Sequence, residues 1–232
     1  MDFSGKQIIV TGGTGALGSA VVDALLEAGA SCRVPYVIEA EAKRFAHRDH
    51  ARVNLISGCD LSDEASVARL YDGAKDLWAS IHIAGGFAAG KVAETDKNAL
   101  MAQIDSNLVS CFLCCRAAVN AMLTSGGGRI VNVAARPALE WRFGAGMSAY
   151  TVAKTGVAAL TVELAEEVAK DGILVNAVAP SIMDTPANRK AMPKADYSVW
   201  PKVEEVAATI VFLASPENRV TRGAIVPVYG KS

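Results

Sequence analysis

Thr11-Gly12-Gly13-Thr14-Gly15-Ala16-Leu17-Gly18 follows a short apolar run, Lys6 to Val10, and leads into a helical pattern that reaches about Gly29. Glycines let a backbone approach a pyrophosphate closely, and the free amides of a helix N-terminus point at it. A strand, a glycine-rich turn and a helix in this order predict a dinucleotide-binding unit, whereas a plain tight turn is the alternative. The candidate contacts are Gly12, Thr14, Gly15, Ala16, Leu17 and Gly18.

Apolar runs and helical patterns alternate along the rest of the chain. Further strands are predicted at 31–38, 53–57, 78–83, 129–133, 173–178 and 224–228, and helices at 62–75, 96–123, 148–170 and 203–214. Continuously apolar strands alternating with helices predict an α/β fold with both sheet faces covered. We expect one domain, residues 1–232, with a doubly wound parallel sheet of about seven strands. Ser62 and Ser148 are predicted N-caps, and the polar stretch 181–201 is long enough for a substrate lid.

The ends of the early strands supply further candidate cofactor contacts. Tyr36 stands where an acidic residue would bond the ribose 2′-hydroxyl of NAD, and Glu39 just beyond could substitute. Lys43 and Arg44 lie a turn further on, so the choice between NAD and NADP stays open. Asp60 and Leu61 follow the third strand, and the small residues Ala84, Gly85 and Gly86 follow the fourth, where a ribose or ring could approach. A bare loop is the alternative for these small residues.

Tyr150 and Lys154 are the candidate catalytic pair. Four residues apart on a helix, their phenol and ammonium project to the same side. A nearby cation lowers a phenol pKa from about 10, which favours general acid catalysis. The alternative is a surface tyrosine and a solvated lysine. Asn107 is predicted inside a long helix, where asparagine is mildly unfavourable unless its amide has a task.

Composition and charge exclude several classes of partner. The formal net charge is −1 and no basic run exists, so nucleic acid and anionic membranes are not expected. We find no apolar run of membrane-spanning length and no signal peptide at the start. Five cysteines without an export signal indicate free thiols and a cytoplasmic location.

Two groups of potential metal ligands are interpreted as structural. Cys111-Phe-Leu-Cys114-Cys115 lies in a predicted helix without a partner ligand cluster, so these thiols are expected to pack in the core. His47 and His50 share helical spacing and are interpreted as a solvated helix face, since zinc needs more ligands. No metal is therefore expected.

Taken together, these motifs resemble the short-chain dehydrogenase/reductase family over essentially the whole chain. The matching positions, in family order, are Thr11-Gly12, Ala16 and Gly18 in the turn, Asp60, Ala84-Gly85, Asn107, Tyr150, Lys154 and the loop containing Pro180, Ile182 and Thr185. The resemblance implies a Rossmann fold, NAD or NADP as cofactor, Tyr150 as proton donor, Lys154 as its partner on the nicotinamide ribose, and an Asn107-bound water. It also implies a homodimer or homotetramer.

The chain departs from the family at two places. Ala135 stands where the catalytic serine is usual, and His82-Ile83 replace two asparagines. Losing a donor to a developing oxyanion commonly costs rate on the order of 10²–10³. The substrate therefore needs no such donor, or catalysis is weak.

A narrower resemblance, to dihydropteridine reductases, rests on the turn, on Ala84-Gly-Gly-Phe-Ala-Ala-Gly90 and on Asp184 to Trp200. It implies a quinonoid substrate, which gains aromaticity when it accepts hydride, and places Ala135, Trp141 and Trp200 at the substrate. The functions that remain open are a reductase of a small carbonyl or quinonoid compound and a cofactor-binding sensor or scaffold with little catalysis.

Overall fold

Seven parallel strands form one sheet in the order β3-β2-β1-β4-β5-β6-β7, as a computed structural model that describes residues 1–74 and 76–232 shows. The strands are β1 Gln7–Thr11, β2 Ser31–Pro35, β3 Val53–Ile56, β4 Leu77–His82, β5 Gly128–Val133, β6 Ile173–Pro180 and β7 Ile225–Val228. The predicted fold class is confirmed. Pro35 is accommodated as the last residue of β2.

Helices cover both faces of the sheet. They are α1 Ala16–Glu27, α2 Glu39–Arg44, α3 Glu64–Asp72, α4 Lys97–Ile104, α5 Ser110–Ser125, α6 Arg136–Leu139, α7 Ser148–Glu167, α8 Pro186–Ala191 and α9 Val203–Ala214. The buried apolar side chains of α3, α5 and α7 form a core on one face, and those of α1 and α9 form a core on the other.

The sheet reverses its winding at β1. This strand pairs with β2 on one side and β4 on the other, so the chain fills one half of the sheet and then crosses to the second half. A crevice opens at the carboxyl ends of strands at such a switch point, which is where open α/β sheets bind ligands. The turn after β1 and the loop after β4 form the walls of this crevice.

Two predicted helix starts are wrong by a residue. Asp63, rather than Ser62, caps α3 by accepting the Ser66 N–H at 2.8 Å, while Ser62 donates to Asp60. Met147 precedes α7, and Ser148 is already its first residue, without a side-chain cap. The predicted end of the α3 segment, Lys75, lies outside the described residues.

The long helix predicted at 96–123 runs without a break from Lys97 to Ser125 but contains a π-helical turn. Asp96 caps α4, and a π-helical turn, Asp105–Val109, then joins α4 to α5. The combined helix Lys97–Ser125 is apolar and long enough to cross a membrane by length and composition, contrary to the sequence expectation. Its inner face packs against the sheet through Cys111, Leu113 and Met122, as a core helix does.

The histidines differ from expectation, whereas the role of the 181–201 segment as a substrate lid stays a prediction. His47 and His50 lie in turns after α2 rather than on a helix, and His47 Nε2 is 3.2 Å from Asp23. The segment 181–201 is folded: it holds α8 and a 3₁₀ turn, and Arg189 donates two hydrogen bonds to Asp184, at 2.6 and 2.7 Å.

Candidate active site

The turn after β1 can be built only from small residues. Gly12 has φ +67°, and a Cβ there would lie 2.7 Å from the Ala84 nitrogen. A Cβ on Gly18 would lie 2.0 Å from the Gly12 carbonyl oxygen. The N-cap of α1 is Gly15, which brings no side chain to the first amides of the helix. These amides are therefore free to bind an anionic group such as a pyrophosphate.

The adenosine side of the crevice carries negative charge. Glu41, on α2, accepts a hydrogen bond from the Thr14 hydroxyl at 3.2 Å, which places a carboxylate against the glycine-rich turn. Tyr36 is half-buried at the end of β2, and its N–H donates to the Ile56 carbonyl. Glu39 is exposed at the start of α2. The carboxylate of Asp60 is exposed and accepts two bonds from Ser62.

Asn107 links the loop after β4 to the helix below it. It lies in the π-helical turn, a feature that often occurs at functional sites. Its Nδ2 donates to the Gly86 carbonyl at 2.9 Å and to the Gln103 carbonyl at 3.0 Å. Its buried Oδ1 has no hydrogen-bond partner among the residues that the structure describes. A Cβ on Gly85 would lie 2.4 Å from that Oδ1 and 3.5 Å from Lys154 Nζ, so both atoms face one point beside Gly85.

Lys154 and Tyr150 lie on the first turns of α7 and face the same crevice. Lys154 is 5 % exposed, and its Nζ donates to the Val133 carbonyl at 2.8 Å and lies 6.0 Å from the Tyr150 ring centroid. Burial lowers the pKa of Lys154 to about 8. Burial also raises the pKa of Tyr150 to about 12. The prediction that Lys154 lowers this pKa is therefore wrong for the protein without cofactor, because desolvation of the phenolate outweighs the effect of the distant ammonium. The phenol is therefore protonated at neutral pH, as a proton donor must be.

A cavity of about 210 Å³ contains these groups. Its lining is largely apolar and comes from six parts of the chain: Leu17; Ile83, Gly85, Gly86 and Phe87; Asn107; Val133, Ala134 and Ala135; Tyr150 and Lys154; and Pro180, Ser181 and Met183. A nicotinamide dinucleotide fits this arrangement, since its pyrophosphate would meet the α1 amides and its ring would enter beside the unpartnered Asn107 Oδ1.

Several predicted contacts lie away from the cavity wall. Ile182 is exposed, and Met183 lines the cavity instead. Thr185 is buried, and its hydroxyl caps α8 by accepting the Asn188 N–H at 3.1 Å. Contact of Ile182 and Thr185 with a cofactor stays a prediction.

The two tryptophans predicted at the substrate also lie outside the cavity lining. Trp141 is 71 % exposed and donates its indole N–H to the Ala138 carbonyl. Trp200 is buried against the Tyr197 ring, with the ring centroids 5.0 Å apart. Trp141 directly follows the short helix α6 and Glu140, and its indole is exposed to solvent. Trp200 is buried at the end of the 181–201 segment.

Phe87 is a cavity residue that sequence reasoning missed. Its ring packs edge-on against Tyr150, with centroids 5.1 Å apart and the planes at 83°, although it is 62 % exposed. A lone aromatic residue inside a run of Gly and Ala was the available signal. The Val133 carbonyl that holds Lys154 has no signal in the sequence, because every residue has a carbonyl.

Comparisons with known proteins agree with this geometry. Residues 6–196 match the family model described as short chain dehydrogenase. The chain is 31% identical over 253 residues to 2,3-dihydroxy-2,3-dihydro-p-cumate dehydrogenase of Pseudomonas putida, covering 100% of this chain and 96% of the relative. It is 35% identical over 242 residues to cis-4-hydroxycyclohexanecarboxylate dehydrogenase of Sinomonas cyclohexanicum, covering 98% and 96%.

Solved structures show the same fold. A blue fluorescent protein from a metagenomic library, in complex with NADPH, superposes with a TM-score of 0.89 at 27% identity, over 100% of this chain and 99% of the other. A short chain dehydrogenase/reductase family protein superposes with a TM-score of 0.91 at 26% identity, over 99% and 98%.

Proposed function

The chain belongs to the short-chain dehydrogenase/reductase family, and we propose that it interconverts a small cyclic ketone and its secondary alcohol with NAD(H). The observation that carries this proposal is the convergence of Tyr150, Lys154 and the unpartnered Asn107 Oδ1 on one cavity. When bound, the nicotinamide cofactor supplies or accepts the hydride.

The side chains of this site divide the proton chemistry between them. In reduction, the Tyr150 hydroxyl donates its proton to the carbonyl oxygen as that oxygen gains negative charge. Lys154, fixed by the Val133 carbonyl, places a positive charge on the same side and stabilises the phenolate that remains. Asn107 Oδ1 and Lys154 Nζ face one point beside Gly85, where a water could bond to both and pass a proton to the Lys154 amine once its ammonium has returned a proton to the Tyr150 phenolate.

The cavity walls favour a ring substrate with little polarity near the reacting atoms. The cavity that Tyr150 lines also has the apolar wall residues Phe87, Ala134, Ala135 and Met183. Relatives that match over almost the whole chain carry ring compounds in their names, a dihydroxy-dihydro-cumate and a hydroxycyclohexanecarboxylate. Apolar walls with one proton donor suit a compact cyclic ketone, because orientation then comes mainly from shape.

A quinonoid compound of pteridine type is the second candidate. Ala135 is buried in the wall and brings no hydroxyl to polarise a carbonyl. A quinonoid ring gains aromaticity on reduction and depends less on such a donor.

We propose NADH as the better cofactor. The Glu41 carboxylate lies against Thr14 of the phosphate-binding turn, and a 2′-phosphate near it would meet like charge. A 2′-hydroxyl could instead donate a hydrogen bond to such a carboxylate.

Wild-type activity on a substrate panel tests these assignments. The panel holds cyclic ketones, linear ketones, a quinone and quinonoid dihydropterin, each with NADH and with NADPH. We expect the highest kcat/KM with a cyclic ketone and NADH, whereas a maximum with quinonoid dihydropterin would favour the second candidate. Tight cofactor binding with no turnover on any member would reject catalysis and favour a sensor.

Exposed apolar residues support a proposal on the oligomeric state, and the cysteines support one on the cellular compartment. Phe112 on α5 and Val152 and Val162 on α7 are exposed apolar residues on neighbouring helices, which supports a homodimer or homotetramer through this surface. The five cysteines are unpaired and buried, which supports a reducing compartment such as the cytoplasm.

A further inference from the structure

Cys111, Cys115 and His82 form a buried cluster beneath the active site. The two cysteines lie one turn apart on the inner side of α5, and His82 is the last residue of β4. The two Sγ atoms and a ring nitrogen of His82 all lie within 4.8 Å of one another. The sequence expectation that these thiols have no partner ligand is wrong, because α5 packs directly on β4 and brings His82 to them.

Asn132, on β5, adds a fourth polar atom to this cluster. Its Oδ1 lies 2.8 Å from His82 Nδ1, 3.3 Å from Cys111 Sγ and 3.5 Å from Cys115 Sγ. His82 Nδ1 and Cys115 Sγ are 3.5 Å apart. One nitrogen, one oxygen and two sulfurs thus converge from two strands and a helix.

These separations match a tetrahedral metal site. With Zn–N near 2.0 Å and Zn–S near 2.3 Å, ligand atoms in a tetrahedron lie about 3.5 Å apart for N and S and about 3.8 Å for two sulfurs. The N–S separation already has this value and the two O–S separations are close to it, whereas the 2.8 Å N–O separation is a hydrogen-bond distance and would have to widen to about 3.3 Å. Small side-chain rotations would therefore suffice to close the donor set around an ion.

A second layer of hydrogen bonds holds the donors in place. On the far side of the imidazole, His82 Nε2 lies 2.8 Å from Ser80 Oγ and 3.2 Å from the Tyr71 hydroxyl. Asn132 Nδ2 donates to Thr161 Oγ1 at 2.9 Å, which leaves Oδ1 pointing at the cluster. Metal-bound histidine characteristically donates its other ring N–H to such an acceptor, and these outer partners fix the ring and its tautomer.

We propose that His82, Cys111, Cys115 and Asn132 bind a structural zinc ion. Two thiolates and an imidazole suit Zn²⁺, and the Asn132 amide oxygen would complete a closed four-ligand site, which is typical of structural rather than catalytic zinc. Two thiolates neutralise the dication, so the filled site adds no net charge to the core. The ion ties β4 and β5 to α5 directly below Lys154 and plays no part in the proton transfer proposed above.

Metal loading during folding gives the test, because every donor is buried in the folded chain. The protein is purified from cultures supplemented with zinc or with cobalt, and its metal content is measured by mass spectrometry. Co²⁺ in the site gives a thiolate charge-transfer band and the intense visible bands of tetrahedral cobalt. We expect one metal ion per chain and both spectral features. At metal concentrations near 100 times Kd, the Tm should lie about 5–10 °C above that of the metal-free protein.

Cys111→Ala and Cys115→Ala identify the ligands, and Cys32→Ala is the matched control, since Cys32 is buried on β2 in the opposite core. Each ligand variant should lower the metal content at least about tenfold, because even outer partners of a metal contribute ~10–100-fold in affinity. The control should keep the metal and the cobalt spectrum. Wild-type protein with only traces of metal from both cultures would overturn the proposal whether or not the variants fold. Metal retained in both ligand variants would overturn it as well.

Discussion

Ala135 lines the same cavity as Tyr150, at the position where the family pattern has a serine. A hydroxyl there would donate to the developing oxyanion of a ketone. Ala135→Ser should therefore raise kcat/KM for simple ketones by about 10–100-fold, part of what such donors contribute. Steady-state kinetics with NADH measures the effect.

Ala138→Ser controls for the Ala135 experiment, because Ala138 is equally buried on α6 but does not line the cavity. It should leave kcat/KM nearly unchanged. A rate in Ala135→Ser that stays at the wild-type value would contradict the view that polarisation limits ketone reduction here.

The pKa of Lys154 should determine the pH above which the rate of reduction falls, the alkaline limb of the pH profile. Its pKa is lowered to about 8 by burial, so the ammonium is lost as pH rises through that value, while the Tyr150 phenol stays protonated to about 12. We predict that kcat/KM for reduction falls above about pH 8, and that the pH profile of the free enzyme shows this limb.

Lys154→Arg separates the ammonium from other titrating groups. Arginine stays charged throughout this range, so the slower variant should show no limb near pH 8. A limb that persists in Lys154→Arg would assign it to another group.

The sequence predicts the chemical roles of the individual site residues only in part. The spacing of Tyr150 and Lys154 predicted two groups facing one site, and a mid-helix Asn107 predicted an amide with a task. The direction of the Tyr150 pKa shift was wrong, because it depends on burial that comes from Phe87 and the neighbouring loops. Cys111 and Cys115 lacked a visible partner, because His82 meets them only after β4 and α5 pack together.

At the scale of elements, Gly85 lets the loop after β4 pack closely against the π-helical turn. An added Cβ at Gly85 would lie 2.4 Å from Asn107 Oδ1, whereas one at Gly86 would lie 3.7 Å from its nearest neighbour, an ordinary contact. Neither glycine has a positive φ, so the two sites differ mainly in space.

Gly85→Ala should displace Asn107 from the shared point with Lys154. We predict a free energy of unfolding lower by about 1–3 kcal/mol from overpacking, and kcat lower by about 10²-fold because a small misplacement of catalytic groups is costly. Denaturant unfolding and steady-state kinetics measure the two effects. Gly86→Ala should change stability by less than ~0.5 kcal/mol. Equal behaviour of the two variants would show that the Gly85 contact is unimportant.

The elements themselves were largely predictable. The strand–turn–helix order of the first unit and the apolar strands were sufficient for the parallel sheet, since apolar runs of strand length must be covered on both faces. The π-helical turn could not be foreseen, because its extra residue leaves the apolar periodicity of the flanking helices almost unchanged. The start of α3 depended on which of two neighbouring polar residues, Ser62 or Asp63, reaches the free amides, whereas α7 begins without any side-chain cap.

For the whole molecule, the exposed apolar residues of α5 and α7 predict association between copies. Phe112 and Val162 are 49% and 44% exposed on these neighbouring helices. In a symmetric dimer, Phe112→Glu or Val162→Glu would place the new charge on both subunits at the interface. We expect either variant to lower the molar mass measured by light scattering toward that of one chain.

Val220→Glu is the control for assembly, since Val220 is 85% exposed and lies in the loop between α9 and β7 rather than on α5 or α7. It should keep the wild-type mass. A wild-type protein with the mass of one chain at micromolar concentration would reject the proposed surface.

Removal of the Tyr150 hydroxyl tests the central claim most directly. Tyr150→Phe keeps the ring that packs against Phe87 and removes only the proton donor. Turnover of the best panel substrate should fall by about 10²–10⁴-fold, as expected for loss of general acid catalysis, while the dissociation constant for NADH stays within about threefold of wild type. Near-normal turnover in Tyr150→Phe would contradict the account.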